Sequence, residues 1–276
     1  MSIVESINGK DKPKGNWISV EHEGSFHQIE IAKTPEQLAE AKALDDLVFA
    51  GHVGITMNEL YEIANNGAVL LMRDINGNLI GESQVITSPI SEHPNLDKDE
   101  AYNYGTAIYP GLQNNGLAQV LFKAQEQIAI EAGKSKSTLT VRLENAQSIR
   151  GRFKSGFYIV GYDPNHYGSF EDGGARLIME KNLSRKNGVV PVPVLAGMVD
   201  QGKVRIINGH TESPNMKDEG LLIGIGVNSG DEIDHAAHVA VKEVFENNKH
   251  LGIGILKSCE FKTKVDKTSL LVFTEK

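Results

Sequence analysis

The stretch that decides the fold is Ile108-Tyr109-Pro110-Gly111-Leu112-Gln113-Asn114-Asn115-Gly116-Leu117-Ala118. A strand-like run, Tyr102–Ile108, passes here through a tight turn into an amphipathic helix predicted over Leu117–Ala132. The first N–H groups of a helix have no partner within the helix and lie at its positive end, so such a turn can bind a phosphate group. Glycine at 116 and alanine at 118 leave room for its approach. The pattern is also typical of an ordinary strand–turn–helix connection.

Two common nucleotide-binding motifs are excluded at this turn. No Gly-Lys-Ser/Thr follows it, as a P-loop requires, and the Gly-x-Gly-x-x-Gly spacing of a dinucleotide-binding turn is missing.

The segments on either side predict an α/β chain with a mixed sheet that is complete by about residue 183. Thr34-Pro35 begins a helix, and Asn76-Gly77 joins two apolar runs into a hairpin. The predicted strands are Phe26–Ala32, Ala68–Arg73, Leu79–Ile86, Tyr102–Ile108, Ser137–Leu143, Phe157–Tyr162 and Ala175–Asn182. Helices are predicted after Thr34 and over Met57–Asn65, Leu117–Ala132 and Ala146–Lys154. Residues 1–25 are expected to be a polar lead, loose apart from Trp17–Val20.

Gln113-x-x-Gly116-x-Ala118, three residues after Pro110, resembles the acetyl-CoA pyrophosphate loop of the GNAT superfamily of N-acetyltransferases. A second element of that family follows at the right distance, with Asn145 at the start of the next helix and Ser148 three residues on. The predicted element order matches the family's fold over about residues 26–183. The resemblance implies a GNAT-like acetyl-CoA-binding fold and an enzyme that transfers an acetyl group to an amine by direct attack.

The resemblance also implies cofactor-binding residues, with acetyl-CoA as cosubstrate and no metal. Backbone groups of Leu112, Gln113, Asn114, Asn115, Gly116, Leu117 and Ala118 would bind the pyrophosphate. The pantetheine arm would lie along the strand Tyr102–Ile108, where this strand and the strand beginning at Ser137 splay apart, and would bond backbone groups near Ala107 and Ile108. Asn145, with Ser148 in the same helix, would hold the arm from the other side. Arg152 stands where the family often has a tyrosine that protonates the leaving thiolate. It would stabilise a thiolate or reach a CoA phosphate, or else lie solvated on the outer helix face.

The catalytic residues follow less directly from the sequence. The family often uses a carboxylate on the central strand as base, and this strand offers Tyr104 in its place. Glu82, on the preceding strand, is the nearest carboxylate by topology. We therefore expect Tyr104 and Glu82 to take part, against the alternatives of a packing tyrosine and a solvent-facing strand glutamate.

Composition narrows the class of protein and its partners. The 276 residues are 40% hydrophobic and 23% charged, enough for a folded core. The net charge of −8 argues against nucleic acid as a partner, and the apolar runs are too short to cross a membrane. One cysteine, Cys259, fits a reducing, cytoplasmic setting. We expect a small-molecule or peptide amine as acceptor and leave a homodimer open.

A domain boundary is expected at the polar stretch Leu183–Gly188, so that residues 189–276 form a separate small α+β domain. Its predicted strands are Val189–Leu195, Val204–Ile207, Leu221–Val227, Gly252–Ser258 and Ser269–Thr274, with a helix over Asp231–Asn247. The face of that helix formed by Asp231, Asp234, His235 and His238 is expected to be solvated, with a metal site as the alternative. Two other functions stay open: a non-catalytic acyl-CoA sensor, and a ligand-binding or dimerising module in this domain.

Overall fold

The computed structural model of the chain describes residues 17–49, 54–184, 192–201, 204–207, 222–228, 230, 232–247, 250–257 and 269–275. In chain order the elements are β1 (Trp17–His22), β2 (Ser25–Ile31), α1 (Pro35–Val48), α2 (Met57–Asn66), β3 (Gly67–Arg73), β4 (Leu79–Ile86), β5 (Glu100–Ile108), α3 (Leu117–Glu131), β6 (Lys136–Val141), α4 (Ala146–Lys154), β7 (Tyr158–Asp163), β8 (Arg176–Asn182), α5 (Val192–Asp200), β9 (Val204–Ile207), β10 (Leu222–Val227), α6 (His235–Asn247), β11 (His250–Lys257) and β12 (Ser269–Glu275).

The chain divides into two compact units. The first contains Met1–Gln84, Ile90–Glu92 and Gly105–Gln125, and the second contains Val85–Pro89, His93–Tyr104 and Glu126–Lys276. Strand order is β1-β2-β3-β4-β5 in the first unit and β5-β6-β8-β7-β11-β12-β10-β9 in the second. The pairs β5–β6 and β9–β10 are parallel, whereas β1–β2, β6–β8 and β11–β12 are antiparallel. The predicted α/β class with a mixed sheet is confirmed.

Local sequence signals account for the helix starts of the first unit. Thr34 accepts a hydrogen bond from the Gln37 N–H at 3.3 Å, and the Gln37 side chain accepts one from the Thr34 N–H in return. The same reciprocal cap begins α2, between Thr56 and Glu59. Such caps satisfy N–H groups that have no partner within the helix. The predicted helix starts at these positions are confirmed.

The N-terminal segment is more ordered than expected. Trp17–His22 forms β1, which pairs with β2 along its whole length, from Trp17 opposite Glu30 to His22 opposite Ser25. Ile18 and Val20 face the core, as the alternation of apolar and polar residues requires. The order expected for Trp17–Val20 is present, whereas the loose lead expected for residues 21–25 is wrong. Residues 1–16 lie outside the described part of the chain.

The expected second domain shares its core with the residues before it. One cluster of buried side chains in the second unit combines Leu139, Ile159 and Met179 with Ile225, Val241 and Phe273. Strand β11 pairs with β7, with Gly252 opposite Ile159. The structure thus differs from a boundary at 183–188 that separates two cores. The physical reason is that a strand at the edge of a sheet has unpaired backbone N–H and C=O groups, and β11 supplies partners for those of β7.

Two further expectations about the C-terminal segment need correction. Residues 192–195, predicted as part of a strand, begin the helix α5. Asp234 and His238, predicted to be solvated, are buried, while His235 is exposed as expected. The apolar face of α6 is confirmed, since Ala237, Ala240, Val241 and Val244 are buried. Asp231 and Cys259 lie outside the described residues.

Candidate active site

The turn between β5 and α3 lies in the first unit and is held by its own backbone and side chains. The Leu112 N–H donates to the Tyr109 carbonyl at 3.0 Å, and the Gln113 carboxamide donates to the Ile108 carbonyl at 3.3 Å. Asn114 and Gly116 have positive φ angles of 66° and 77°. Positive φ values let the chain turn sharply into α3, whose first N–H groups have no partner within the helix. The side chains from Gln113 to Gly116 are exposed, as a binding loop requires.

His22 lies against this turn, a contact that the sequence interpretation missed. Its Nε2 atom is 3.3 Å from the position that a β-carbon would take at Gly116. The Lys123 ammonium of α3 also donates to the Glu21 carbonyl at 2.8 Å. The β1–β2 hairpin therefore supports the start of α3. The two-residue alternation of Trp17–His22 was the available signal, and it indicates a strand that extends to His22.

Ala107 and Ile108, the predicted contacts of the pantetheine arm, are buried. A β-carbon at Gly81 would lie 3.0 Å from Ile108 Cδ1 and 3.5 Å from the Ala107 carbonyl oxygen, so the two strands pack closely here. Because the Ala107 and Ile108 side chains belong to the core, a ligand can use only their backbone groups. This agrees with the backbone role that the resemblance implies.

In the second unit, β5 pairs with β6 over Glu100–Tyr102 and Lys136–Thr138. Among the described residues no further pairing between the two strands follows, although β6 continues to Val141. The Tyr102 hydroxyl lies 2.9 Å from the Thr140 Oγ1 atom. Within the described residues, the ladder between β5 and β6 thus ends at Tyr102 and Thr138.

Asn145 and Ser148 lie at the start of α4, in the second unit. Asn145 is the N-cap residue, and its side-chain oxygen accepts a hydrogen bond from the Ser148 N–H at 3.0 Å. Asn145 is exposed and Ser148 is half-buried. This hydrogen bond orients the carboxamide through its oxygen atom, and the cap does not use the carboxamide nitrogen.

Arg152 is buried, so the alternative of a solvated arginine is wrong. Its side chain is 4% exposed, and its guanidinium carbon lies 5.5 Å from the centroid of the Phe157 ring. Burial lowers the pKa of Arg152 to about 9, and the nearby Tyr102 acts in the opposite direction. At neutral pH the group is still protonated, so it can stabilise negative charge but does not release a proton readily.

Glu82 is completely buried, so the alternative of a solvent-facing glutamate is also wrong. The Gln84 carboxamide donates to its Oε2 atom, and its Oε1 atom has no partner among the described residues. Burial raises the pKa of Glu82 well above its ordinary value, and the charge of Asp45 adds to this. Burial likewise raises the pKa of Asp45. A carboxyl with a raised pKa is a stronger base than an ordinary one, which is what proton removal from an amine needs.

Tyr104 lies in the second unit within a group of aromatic rings. Its ring centroid is 5.7 Å from that of His93 and 6.2 Å from that of Tyr102, and both pairs meet edge to face. His93 stacks on Tyr102 at 4.1 Å. Tyr104 is half-buried and Tyr102 is buried. The group forms an aromatic surface with polar tips.

Within the described ranges, no three His, Cys, Asp or Glu side chains are grouped so as to hold a metal ion. In the same ranges, no helix has both the length and the apolar character to cross a membrane.

Comparison with known protein families identifies the family of one segment of the chain. Residues 29–157 match the model of the acetyltransferase (GNAT) family. No curated protein matches the chain. Solved structures that are similar include an acetyltransferase of the GNAT family from Streptococcus pneumoniae, with 21% identity over 56% of this chain and 98% of that chain and a TM-score of 0.44.

Two further solved structures are similar at the same level. The ribosomal-protein-S18-alanine N-acetyltransferase from Escherichia coli has 19% identity over 59% of this chain and 99% of that chain, with a TM-score of 0.45. Chaetomium thermophilum Naa20, in complex with a bisubstrate analogue, has 17% identity over 57% of this chain and 87% of that chain, with a TM-score of 0.47. The assignment rests on the family model, which confirms the family implied by the turn after Ile108. Residues 29–157 of the chain are therefore a domain of the acetyltransferase (GNAT) family.

Proposed function

We propose that this protein transfers the acetyl group of acetyl-CoA to the nitrogen of an amine by direct attack in a ternary complex. The observation that carries the proposal is the junction of β5 and α3 inside the matched segment, where Gly116, with a positive φ, immediately precedes the first N–H groups of α3. Those N–H groups and the helix dipole favour a pyrophosphate. Leu112–Ala118 are the proposed pyrophosphate loop.

Individual residues are proposed for the other contacts with the cofactor. Backbone groups of Ala107 and Ile108 bond the amides of the pantetheine arm, and Asn145 holds the arm with the amide nitrogen that its capping role leaves available. Ser148, whose N–H bonds to Asn145, keeps that side chain oriented. Arg152 provides positive charge toward the developing thiolate. In this family acetyl-CoA is a cosubstrate, and nothing in the proposed chemistry uses a metal.

The chemistry needs one base and one source of a proton. The nitrogen lone pair of a neutral amine attacks the thioester carbonyl carbon, a C–N bond forms, the C–S bond breaks, and the thiolate leaves and takes up a proton. Glu82 is the proposed acceptor of the amine's proton, directly or through water, because its raised pKa suits that transfer. Tyr104 is proposed to contact the acceptor with its hydroxyl.

The experiment that tests the proposal measures thiol release from acetyl-CoA in the presence of a panel of small and peptide amines. Calorimetric titration with CoA measures binding separately. Thiol release that depends on an amine, together with CoA binding, supports the enzyme. CoA binding with no turnover for any amine would favour the sensor, and no CoA binding would contradict both. The proposal also includes an amine as acceptor, a homodimer and a cytoplasmic setting. The single cysteine, Cys259, agrees with the cytoplasmic setting.

A further inference from the structure

Glu144 in the second unit contacts residues of the C-terminal segment, besides an ion pair of its Oε2 atom with Arg142 Nε at 3.7 Å. Its Oε1 atom lies 2.6 Å from His238 Nε2 of α6 and accepts the Asp234 N–H at 3.1 Å. Its backbone carbonyl accepts the Gly230 N–H at 3.3 Å. The side chains of Glu144 and His238 are 2% and 3% exposed, so this is a buried network.

The network continues through His238 to a third side chain. His238 Nδ1 lies 2.6 Å from the Tyr162 hydroxyl, at the end of β7. Burial alone would raise the pKa of Glu144, but the hydrogen bonds from His238 and the backbone outweigh it and lower that pKa. With Glu144 ionised, the Nε2–H of His238 donates to the carboxylate and Nδ1 faces the Tyr162 hydroxyl, so both ring nitrogens are engaged.

The Asp234 carboxylate links residue 228 to the start of α6. Asp234 accepts hydrogen bonds from the Ala237 N–H at 3.1 Å and the Asn228 N–H at 2.8 Å. One carboxylate thus caps α6 and ties residue 228 to it. The Asp234 N–H that reaches Glu144 therefore comes from a defined position.

Glu144 immediately precedes Asn145, the N-cap residue of α4 and the proposed contact of the CoA arm. The Ala146 N–H donates to the Glu144 carbonyl at 2.9 Å, and the Ile149 N–H donates to the Asn145 carbonyl at 3.0 Å. A displacement of Glu144 would therefore move the N-terminus of α4. Small errors in the position of a binding group lower affinity strongly.

We propose that the C-terminal segment is a working part of the cofactor site, and that His238 is the positioning residue that, through Glu144, orients Asn145 and the first turn of α4 toward acetyl-CoA. The inference rests on the proposed function, since it takes Asn145 as a cofactor contact. It assigns a role to residues that lie outside the matched segment 29–157.

Four full-length variants test the proposal by calorimetric titration with CoA. His238→Leu removes both polar atoms, His238→Gln keeps a donor for Glu144, and Tyr162→Phe removes only the hydroxyl beyond Nδ1. His235→Leu is the control, because it makes the same change at an exposed residue of the same helix. We expect affinity for CoA to fall about tenfold in His238→Leu, to recover largely in His238→Gln, and to fall about twofold in Tyr162→Phe, as expected for loss of positioning. The control should bind like the native chain.

Hydrogen exchange and kinetics separate positioning from general damage. The Ser148 and Ile149 amides, both bonded to Asn145, should exchange faster in His238→Leu and Tyr162→Phe than in the control. The KM for acetyl-CoA should rise while the KM for the acceptor stays constant. Unchanged CoA affinity and exchange in a folded His238→Leu would overturn the proposal. If that variant does not fold, the same result in Tyr162→Phe would overturn it. If the native chain binds no CoA, the proposed function fails, a result distinct from native binding that survives the loss of His238.

Discussion

His22 and Gly116 are in contact through the side of the glycine that a β-carbon would occupy, with His22 Nε2 3.3 Å from that position. Gly116 also has a φ of +77°, which L-residues adopt only with strain. The positive φ of the glycine of the proposed pyrophosphate loop favours glycine over any other residue. A side chain there would also lie against His22 Nε2, which would have to shift.

The first prediction concerns this glycine. Gly116→Val should weaken CoA binding tenfold or more, about 1.4 kcal/mol, because the side chain blocks close approach to the backbone N–H groups. Calorimetric titration with CoA measures the effect. Gly111→Ala is the matched control, since Gly111 has a φ of +89° but nothing within 4 Å of its β-carbon position. Equal losses in the two variants, or an unchanged affinity in Gly116→Val, would contradict the assignment of the loop.

The sequence predicted this loop well because local signals determine it. A strand, a turn with Pro110-Gly111 and an amphipathic helix follow each other within a few residues, and each has its own pattern. The burial of Glu82 and Arg152 was not predictable in the same way. Each lies on an element whose buried face is set by residues far away in the chain, and the charges that act on their pKa values are distant in sequence too, Asp45 for Glu82 and Tyr102 for Arg152.

Burial in the C-terminal segment was even less predictable from the local sequence. His238 and Asp234 read as a polar helix face, and polar faces are usually solvated. Here His238 is buried with Glu144 and Tyr162 as partners, which are 94 and 76 residues away in the sequence, and the Asp234 N–H donates to the same Glu144 from 90 residues away. No spacing rule connects these positions. The boundary near residue 188 was inferred from composition, which does not report the pairing of β11 with β7.

The second prediction concerns Glu82 and pH. Because burial raises the pKa of Glu82, the folded state holds this proton more tightly than the unfolded state. The associated stability is fully present below the ordinary pKa of 4.5 and is lost as the pH rises through the raised value. Glu82→Gln should remove this loss, so the variant should unfold at higher urea concentration than the native chain at pH 8 and differ little at pH 4.

The same variant separates stability from activity. If Glu82 takes the amine's proton, Glu82→Gln should lower kcat about a hundredfold or more, the size expected for a positioned base. A more stable and less active protein is typical of a strained functional site. Full activity in a folded Glu82→Gln would remove Glu82 from the mechanism. The prediction about the pH dependence of stability would still stand, because it does not depend on activity.

The third prediction concerns Arg152, which replaces the tyrosine often found at this position in the family. With its pKa lowered to about 9, Arg152 stays protonated at neutral pH and acts through its charge. Arg152→Ala should therefore lower kcat/KM for acetyl-CoA modestly, and Tyr104→Phe should lower it at least as much. A loss above about a hundredfold for Arg152→Ala alone would identify it as a positioned proton donor instead.

The last prediction concerns the junction between the matched domain and the C-terminal segment. Gly252 of β11 lies opposite Ile159 of β7, and a β-carbon at Gly252 would lie 2.7 Å from Ile159 Cβ. Gly252→Ala should therefore separate the two strands or displace Ile159, which is fully buried, at a cost of about 1–3 kcal/mol in the free energy of unfolding. Urea unfolding measures this cost.

Gly197→Ala is the control for this prediction, because Gly197 lies in α5 with nothing within 4 Å of its β-carbon position. Alanine in a helix is favoured over glycine by about 0.5–1 kcal/mol, so this variant should be as stable as the native chain or more so. Since one core holds Leu139, Ile159, Ile225 and Phe273, the loss in Gly252→Ala should appear as one cooperative transition, and a chain ending at residue 188 should not fold with native stability. A stable shortened chain, with Gly252→Ala indistinguishable from the control, would instead support the independent C-terminal domain that composition suggests.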